Sequence, residues 1–316
     1  MSGRLGGRVV VVTGAGRGIG REYALLAAKH GASVVVNDLG VALDGAAEGM
    51  SPADEVATEI TAAGGKAITD DHDVSDWDGA AALIDRAVTE FGDLHVLINN
   101  AGIMRDRMLF NMSAEEWDAV IRVNLRGHFC PTRHAAAYWR QQAKNGRQGD
   151  RVVISTSSVS GLHGSVGQIN YGTAKAGIAS FAQLIDRELN ERFGVRSYAI
   201  APGARTRLTL STPHAAATVG LSAPEDGWDD KGPANVAPFV VWLAAPGCTM
   251  PSGTVFGVWG GRVELYRSWR KAAEIAADHQ WTLDELDQAA PELVAQAAQR
   301  TQSVVEAATT RGGDQA

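Results

Sequence analysis

Three side chains near the middle of the sequence have the chemistry to move a proton on and off an alcohol or carbonyl oxygen: Ser158, Tyr171 and Lys175. Tyr171 and Lys175 lie in a stretch, residues 170–190, that we predict to be helical, and side chains four residues apart share one helix face. A phenol has a pKa of about 10, and an adjacent ammonium group favours the phenolate, so we expect the pKa of Tyr171 to fall towards neutrality. Ser158 follows the apolar run 151–154 and can hold a substrate oxygen by a hydrogen bond. The spacing Tyr-x3-Lys alone also fits two exposed residues on an amphipathic helix, so the surrounding elements have to decide between these interpretations.

A glycine-rich turn near the N-terminus has the form expected for binding a dinucleotide. Residues 13–20, Thr-Gly-Ala-Gly-Arg-Gly-Ile-Gly, follow the apolar run 9–12 and open a predicted helix over 20–30. Glycines let the backbone approach a pyrophosphate, and the helix N-terminus supplies N–H groups and the positive end of the helix dipole. The spacing differs from Gly-x-Gly-x-x-Gly and from a P-loop, so a turn without a ligand is the alternative. The cofactor contacts predicted in this turn are Gly14, Arg17, Gly18, Ile19 and Gly20.

Asp38 follows a second predicted strand, 33–37, and its carboxylate indicates which dinucleotide binds. A carboxylate at this strand end accepts hydrogen bonds from both ribose hydroxyls and repels a 2′-phosphate, so the sequence predicts NAD rather than NADP. Arg17 could reach a 2′-phosphate and soften that preference. The alternative role of Asp38 is to cap a turn before Gly40.

Small and polar residues follow the next two predicted strands, 67–71 and 94–98. The first group could contact the adenine edge, and the second suits the close approach of a cofactor ribose. Each group alone also fits ordinary loop chemistry. Their agreement at the same end of successive strands favours a single cofactor site. The contacts predicted there are Asp73, Val74, Asn100, Ala101 and Gly102.

The order of strands and helices predicts a doubly wound α/β sheet. Short runs rich in Val and Ile alternate with amphipathic stretches, and nearly continuous apolar runs are typical of parallel strands buried on both faces. Sheets of this kind bind ligands beyond the carboxyl ends of their strands. Further strands are predicted at 8–12, 151–155, 196–200 and 255–258, and helices at 52–63, 77–91 and 123–145. Ser113 and Glu116 form a capping box for the helix that follows residue 113.

We expect one dinucleotide-binding catalytic domain over residues 1–262. A helical C-terminal extension is expected over 263–308, with its helix at 275–308, and a disordered tail over 309–316. Residues 206–232 lack a strong periodicity and are rich in Thr, Ser, Ala, Pro and Gly. A long irregular segment of this kind indicates a functional lid rather than a linker.

The composition argues against several classes of function. The 316 residues carry a formal net charge of −7 and their basic residues are scattered, so we expect no nucleic-acid partner. The two cysteines, Cys130 and Cys248, have no metal-binding spacing, so we predict no metal site and a reduced, cytoplasmic setting. No apolar run reaches the roughly 18 residues that a membrane span needs, so no span is expected.

Taken together, these motifs resemble those of the short-chain dehydrogenase/reductase family. The resemblance covers residues 6–262 and rests on the glycine turn, on the segments after the third and fourth strands, and on Asn124, Ser158, Tyr171, Lys175, Pro202 and Gly203. It implies a Rossmann-like parallel sheet of about seven strands and a nicotinamide cofactor. It also implies cofactor contacts from Pro202, Gly203 and Thr206, and a homodimer or homotetramer.

The same resemblance implies a role for each catalytic candidate. Tyr171 would be the general acid/base, and Ser158 would orient the substrate oxygen. Lys175 would bind the nicotinamide ribose and lower the pKa of the tyrosine. Asn124 would hold a water that relays protons through Lys175, although an asparagine near the start of a long helix also fits a kink or a cap. Three nearby serines compete with Ser158, which the family spacing favours: Ser155, Ser157 and Ser160.

A narrower resemblance is to the (3R)-hydroxyacyl-CoA dehydrogenase branch of the family, which includes part of peroxisomal multifunctional enzyme type 2. It lies in four segments: 34–40, 167–171, 201–209 and 235–238. The segment after Gly260 resembles the C-terminal extension of that branch. The resemblance implies an NAD-dependent oxidoreductase that interconverts a secondary alcohol and a ketone, with a 3-hydroxyacyl-CoA or steroid-type substrate.

The substrate remains open at this point, because the sequence contains no hydratase or sterol-carrier domain and has Gly203 where the multifunctional enzyme has asparagine. Four arginines could meet the phosphates of a CoA thioester or could simply be solvated: Arg205, Arg207, Arg262 and Arg267. Two alternatives stand beside the CoA hypothesis. One is a dehydrogenase of a free hydroxysteroid or simple secondary alcohol, and the other is a noncatalytic NAD(H)-binding sensor on the same fold.

Overall fold

The computed structural model describes residues 3–40, 51–211, 216, 219–224, 227–267, 269 and 271–312, without the side chains of 299–312. At its centre lies a sheet whose strands are β1 Val9–Thr13, β2 Ser33–Asn37, β3 Lys66–Asp70, β4 Val96–Asn99, β5 Arg151–Thr156, β6 Val195–Gly203, β7 Thr254–Trp259 and β8 Arg262–Tyr266. Their spatial order is β3-β2-β1-β4-β5-β6-β7-β8. The first seven strands pair in parallel, which confirms the predicted Rossmann-like doubly wound sheet.

β8 is an addition to the seven strands that were expected. It pairs antiparallel with β7, so that Trp259 lies opposite Arg262 across a tight turn. Gly260 makes this turn possible because its φ of 51° lies in the left-handed region. β8 is a mostly exposed edge strand, so it lacks the continuous apolar run that marks the buried parallel strands.

The two faces of the sheet bury alternate residues of each strand. In β1, Val10 and Val12 pack into one core, whereas Val9 and Val11 pack into the core on the opposite face. Side chains alternate between the faces of a strand, and here both faces are covered by helices. This explains why an unbroken run of valines forms a central strand.

Among the described residues the helices are α1 Gly18–Lys29, α2 Pro52–Ala62, α3 Trp77–Phe91, α4 Ala114–Val120, α5 Gly127–Lys144, α6 Val159–His163, α7 Ile169–Ile185, α8 Glu191–Phe193, α9 Arg207–Leu210, α10 Ala237–Ala244 and α11 Leu283–Gly312. Those before residue 266 flank the sheet and join successive strands. Short 3-10 turns lie at Leu109–Asn111 and Pro233–Asn235, and π-helical segments lie at Ile121–Arg126 and Asp186–Asn190.

The long helix predicted at 123–145 corresponds to the end of a π-helical segment followed by α5, and this π segment joins α5 to the separate helix α4. Ser113 and Glu116 form the predicted capping box at the start of α4. The π segment Ile121–Arg126 follows at once, and α5 begins at Gly127. A π segment accommodates an extra residue, which the 3.6-residue periodicity of the sequence does not reveal. Asn124 lies inside this segment rather than near the start of an α-helix.

The chain divides into two compact units, Met1–Tyr266 and Arg267–Ala316. The division falls four residues after the boundary expected at 262, because β8 belongs to the sheet. In the second unit α11 starts at Leu283 rather than at 275, since Thr282 and Glu285 form a capping box there. The helix continues to Gly312, through part of the tail predicted to be disordered, and residues 313–316 lie outside the described residues.

Candidate active site

The glycine turn after β1 has a backbone that only glycine can provide at several positions. Gly14 and Gly18 have φ of 61° and 56°, in the left-handed region. A Cβ on Gly14 would lie 2.8 Å from the Cα of Ala101, and a Cβ on Gly20 would lie 2.2 Å from the carbonyl oxygen of Gly14. Asn100 fastens the turn, because its Nδ2 donates to the carbonyl oxygens of Thr13 and Gly14, each at 3.1 Å. These contacts hold the backbone of the turn close to the end of β4 and leave no room there for larger side chains.

Asp38 combines the two roles that its sequence position allowed. Its Oδ2 accepts a hydrogen bond from Gly16 N, and its Oδ1 accepts one from Gly40 N, both at 2.9 Å. It also lines the cavity described next, so capping the turn and facing a ligand are compatible. A Cβ on Gly16 would lie 2.9 Å from the carboxylate oxygen and 2.6 Å from Pro52 Cβ, so any larger residue would fill this space.

A cavity of about 290 Å³ lies beyond the carboxyl ends of the parallel strands. The residues predicted from sequence that line it are Gly14, Arg17, Gly18, Ile19, Asp38, Asp73, Val74, Asn100, Ala101, Gly102, Ser158, Tyr171, Lys175, Pro202 and Thr206. Three other predicted site residues do not line it. Gly20 packs inside α1 against the turn, Gly203 lies against Trp259, and Asn124 lies behind Gly102.

Ser158, Tyr171 and Lys175 converge on this cavity from two elements. Ser158 is the N-cap of α6, where its Oγ accepts a hydrogen bond from Ser160 N at 3.2 Å, and it also hydrogen-bonds with Tyr171. Tyr171 and Lys175 lie one turn apart on α7, both almost fully buried. Lys175 Nζ donates to the carbonyl oxygen of Thr156 at 2.7 Å and lies 5.4 Å from the centre of the Tyr171 ring.

Each of the three rival serines is either fully buried or hydrogen-bonded to another group. Ser155 is fully buried in β5. Ser157 Oγ donates to the carbonyl oxygen of Lys175 at 2.8 Å, and Ser160 Oγ donates to Gln168 Oε1 at 2.8 Å. Ser158 is the serine that combines a place in the cavity with a hydrogen bond to Tyr171.

Burial controls the protonation of the tyrosine and the lysine, contrary to the expectation from sequence. It raises the pKa of Tyr171 to about 12, a rise that the hydrogen bond from Ser158 opposes and the charge of Asp106 increases. Burial also lowers the pKa of Lys175 to about 7. The expected fall in the pKa of Tyr171 is therefore wrong for the protein alone, because an ammonium removed from water tends to lose the charge that would favour a phenolate.

Asn124 is buried and aims one polar atom towards the lysine. Its Nδ2 donates to the carbonyl oxygens of Ile103 at 2.8 Å and Val120 at 3.1 Å. Its Oδ1 has no hydrogen-bond partner among the described residues. A Cβ on Gly102 would lie 2.6 Å from this Oδ1 and 3.7 Å from Lys175 Nζ. The unpaired oxygen and the ammonium thus border the same small space, where a water could bridge them.

Asp73 and Arg205 are more occupied than their sequence positions indicated. Asp73 lines the cavity, but its carboxylate accepts hydrogen bonds from Ser75 N at 2.8 Å and from Arg122 Nη1 at 2.9 Å. Arg205 is ion-paired with Asp229 at 2.7 Å, and its other nitrogens donate to carbonyl oxygens of the same segment. Arg205 therefore anchors part of the predicted lid, and this occupation argues against a direct contact with substrate phosphates.

The remaining arginines differ in their placement. Arg207 opens α9 and lines the cavity. Arg262 lies exposed in β8, and Arg267 belongs to the second unit. Parts of the predicted lid, residues 212–215, 217–218 and 225–226, lie outside the described residues.

The sequence reasoning gave no individual role to two buried residues beside the site, Thr13 and His128. Thr13 Oγ1 accepts hydrogen bonds from Asn100 N at 2.9 Å and Ala101 N at 3.1 Å, so it joins β1 to the end of β4. Its place directly before Gly14 was a signal that could have been used. His128, in α5, is fully buried, and its ring nitrogens form no hydrogen bond of good geometry with the described residues. Burial, with Lys175 nearby, lowers its pKa well below the usual value; nothing in the sequence distinguished it from an ordinary helical histidine.

Within the described ranges no helix is long and apolar enough to cross a membrane. The same part of the chain contains no group of three His, Cys, Asp or Glu side chains arranged to hold a metal ion.

Comparison with known proteins identifies the family. The model of the short chain dehydrogenase family matches residues 8–212. The hydroxyacyl-CoA dehydrogenase ChsB1 of Mycobacterium tuberculosis is 45% identical over 277 residues, which are 87% of this chain and 84% of that protein. Peroxisomal multifunctional enzyme type 2 of Mus musculus is 39% identical over 85% of this chain, which spans 34% of that longer protein.

A solved structure agrees with these sequence relatives. The crystal structure of a short chain dehydrogenase from Mycobacterium avium superposes with a TM-score of 0.82 at 47% identity, covering 93% of this chain and 96% of the other. A noncatalytic binding protein is therefore not the favoured interpretation of the fold. The chain belongs to the short-chain dehydrogenase family and is an oxidoreductase that interconverts a secondary alcohol and a ketone.

Proposed function

We propose that the protein is an NAD-dependent dehydrogenase of 3-hydroxyacyl-CoA thioesters and that Tyr171 is its general acid/base. The observation that carries the proposal is the meeting of Ser158, Tyr171 and Lys175 in the cavity that the glycine turn and Asp38 also line. The overall reaction converts a secondary alcohol and NAD⁺ into a ketone, NADH and a proton. The relatives named for hydroxyacyl-CoA and multifunctional enzymes support the thioester substrate.

The residues present fit a nicotinamide dinucleotide. The glycines at 14, 16 and 18 leave a cradle beside the N-terminus of α1, where N–H groups and the helix dipole favour a pyrophosphate. Asp38 would accept the ribose hydroxyls, and Lys175 would hold the nicotinamide ribose. When bound, the nicotinamide supplies the hydride acceptor or donor and, in its oxidised form, a positive charge.

In alcohol oxidation, Tyr171 Oη takes the proton of the substrate hydroxyl while the carbon that bears this hydroxyl gives up a hydride. Ser158 Oγ, already hydrogen-bonded to Tyr171, would hold the substrate oxygen beside the phenol. In ketone reduction, Tyr171 returns the proton to the carbonyl oxygen. A buried phenol holds its proton firmly, so a positive charge nearby is needed before it can act as a base close to neutral pH.

Lys175 and Asn124 would carry the proton away from the tyrosine. The Lys175 pKa of about 7 means that its ammonium can exchange a proton near neutral pH. Asn124 Oδ1 borders the same space and has no hydrogen-bond partner among the described residues. It could therefore hold a bridging water. The two hydrogen bonds from Asn124 Nδ2 fix the direction of this oxygen.

Replacing Gly102 with alanine is expected to lower kcat by about tenfold to a hundredfold. The new methyl group would displace Asn124 Oδ1, and misplacing a catalytic group by about 1 Å can cost two orders of magnitude in rate. Steady-state kinetics would measure the effect, with Gly149→Ala on the exposed segment before β5 as control. Unchanged kcat in Gly102→Ala would contradict the relay.

Replacing Asp38 with asparagine is expected to raise the ratio of kcat/KM with NADP to kcat/KM with NAD by about tenfold. Asparagine keeps an acceptor oxygen for one of the two N–H groups, that of Gly16 or that of Gly40, and removes the charge that repels a 2′-phosphate. Steady-state kinetics with both cofactors would measure the ratio. Asp85→Asn, on the exposed face of α3, is the matched control. A wild-type enzyme that prefers NADP would show the assignment of Asp38 to be wrong.

The substrate class is tested by fluorescence of NADH formed from several alcohols. We expect the largest kcat/KM for a (3R)-hydroxyacyl-CoA, compared with its (3S) isomer, a steroid-CoA thioester, a free hydroxysteroid and simple secondary alcohols. A larger kcat/KM for the free hydroxysteroid or for a simple alcohol would replace the CoA hypothesis by that alternative.

Arg207 is the arginine best placed to meet a phosphate of CoA, because it lines the cavity at the start of α9. Isothermal titration of CoA in the presence of NAD should show weaker binding to Arg207→Ala than to the wild type. Arg192→Ala, in α8 away from the cavity, is the control. Equal affinity in all three proteins would remove Arg207 from the phosphate site.

A homodimer or homotetramer in a cytoplasmic setting completes the proposal. Support for association comes from large apolar side chains left exposed on two helices, Phe129 on α5 and Leu184 on α7. Support for a reducing compartment comes from Cys130 and Cys248, which are both unpaired. Light scattering would determine the oligomeric state.

A further inference from the structure

The loop after β4 is joined to the residues that open α7. Arg107 N donates to the carbonyl oxygen of Gly167 at 2.7 Å, an isolated parallel bridge between the two segments. Asn170 Nδ2 donates to the carbonyl oxygen of Arg105 at 2.9 Å. Tyr171 follows directly in the chain, so the position of the tyrosine depends on this loop.

Between these two links lies Asp106, which begins a chain of side-chain hydrogen bonds. Gln168 Nε2 donates to Asp106 Oδ2 at 2.8 Å, and Ser160 Oγ donates to Gln168 Oε1 at 2.8 Å. Ser160 N in turn donates to Ser158 Oγ at 3.2 Å. An ionised carboxylate only accepts, so Asp106 fixes which end of the buried Gln168 amide faces Ser160. The chain therefore runs from a carboxylate to the serine at the cavity.

The carboxylate also acts on the tyrosine through space. Burial is the main cause of the raised pKa of Tyr171, and the negative charge of Asp106 raises it further. Asp106 is itself partly buried, which raises its own pKa, although the hydrogen bond from Gln168 opposes this rise. At the neutral and alkaline pH at which alcohol oxidation is measured, we expect the carboxylate to be ionised.

Other charged groups surround Asp106. Arg105 and Arg107 flank it in the chain, and Arg107 is paired with Glu116 of α4 at 2.9 Å. From α7, Lys175 lies next to the Tyr171 ring. A substitution at Asp106 leaves the Arg107–Glu116 pair in place, so its effect on the tyrosine can be read separately.

We propose that Asp106 is a positioning residue of this reaction, which orients Ser158 through Gln168 and Ser160 and places a negative charge near Tyr171. The inference rests on the general acid/base role proposed for Tyr171. It assigns two separable functions to one side chain, one geometric and one electrostatic.

Asp106→Asn tests the electrostatic function. The amide keeps an oxygen for Gln168 Nε2 but carries no charge. In alcohol oxidation kcat rises with pH as the tyrosine of the bound complex ionises, so losing a nearby negative charge should move this rise in kcat to lower pH. Asp106→Glu should restore the wild-type profile, and Asp118→Asn, on the exposed face of α4, should leave it unchanged. An unshifted profile in Asp106→Asn would overturn the electrostatic function.

Gln168→Met tests the geometric function. It removes both hydrogen bonds of the amide but leaves the carboxylate charged, so we expect kcat to fall about tenfold while NADH affinity, measured by fluorescence, is unchanged. Wild-type kcat in this variant would overturn the geometric function. The outcome is distinct from a failure of the proposed function, which would appear as turnover retained by Tyr171→Phe.

Discussion

Replacing Tyr171 with phenylalanine should lower kcat by about a hundredfold to ten-thousandfold, the range that general acid–base catalysis contributes. The ring still packs in the same buried position, so the variant should fold and bind NADH with nearly wild-type affinity. Lys175 keeps its hydrogen bond to the Thr156 carbonyl oxygen, which does not involve the phenol. Stopped-flow turnover and fluorescence titration of NADH would measure the two quantities separately.

The control for this variant is Tyr23→Phe. Tyr23 is also fully buried, in α1, and its hydroxyl has no hydrogen-bond partner within the described residues. It lies in the core away from the cavity, so removing its hydroxyl should leave turnover unchanged. Substantial activity in Tyr171→Phe would mean that another group transfers the proton.

Replacing Lys175 with methionine should abolish most turnover and change how stability depends on pH. Burial lowers the pKa of the folded lysine to about 7, whereas an unfolded lysine titrates near 10.4. Between these values the unfolded state binds more protons than the folded state, so wild-type stability rises with pH across that window and is constant with respect to this group below it. Methionine has no such dependence.

Urea unfolding at pH 7 and pH 9 would test this expectation. At each pH, the free energy of unfolding of Lys175→Met is subtracted from that of the wild type. We expect this difference to be about 2 kcal/mol lower at pH 7 than at pH 9. Lys144→Met, at the exposed end of α5, should show no comparable difference, because an exposed ammonium stays hydrated in the folded state. A difference that does not depend on pH would mean that Lys175 is charged throughout.

Much of the parallel sheet could be predicted because its strands are short apolar runs with glycines and polar residues at their ends. β1 and β2 fall within one residue of the predicted ranges, since burial on both faces leaves few alternatives for a run of valines. β8 could not be predicted in this way. Its residues face solvent, and its place depends on pairing with β7.

In the candidate site, too, the features set by local sequence could be predicted, whereas those that depend on tertiary contacts could not. The glycine turn and the Tyr171–Lys175 pair could be found because local spacing determines them. The carboxylate that acts on Tyr171 from residue 106 could not be found, because the two residues are 65 positions apart and are brought together by tertiary hydrogen bonds between the loop after β4 and the start of α7. The direction of the tyrosine pKa also depends on burial, which no spacing rule describes.

The π-helical segment Ile121–Arg126 separates the registers of the two helices that it joins. Each residue of an α-helix advances the side-chain direction by about 100°, so a helix without the extra residue would turn the face of α5 relative to that of α4. With it, α4 can follow the loop that carries Arg107 while α5 keeps its buried face against the sheet. Deleting one residue in this segment would restore one continuous register, and Asn124 or the α5 face would then have to point elsewhere. Asn124 thus lies at the junction where the register of α4 changes to that of α5.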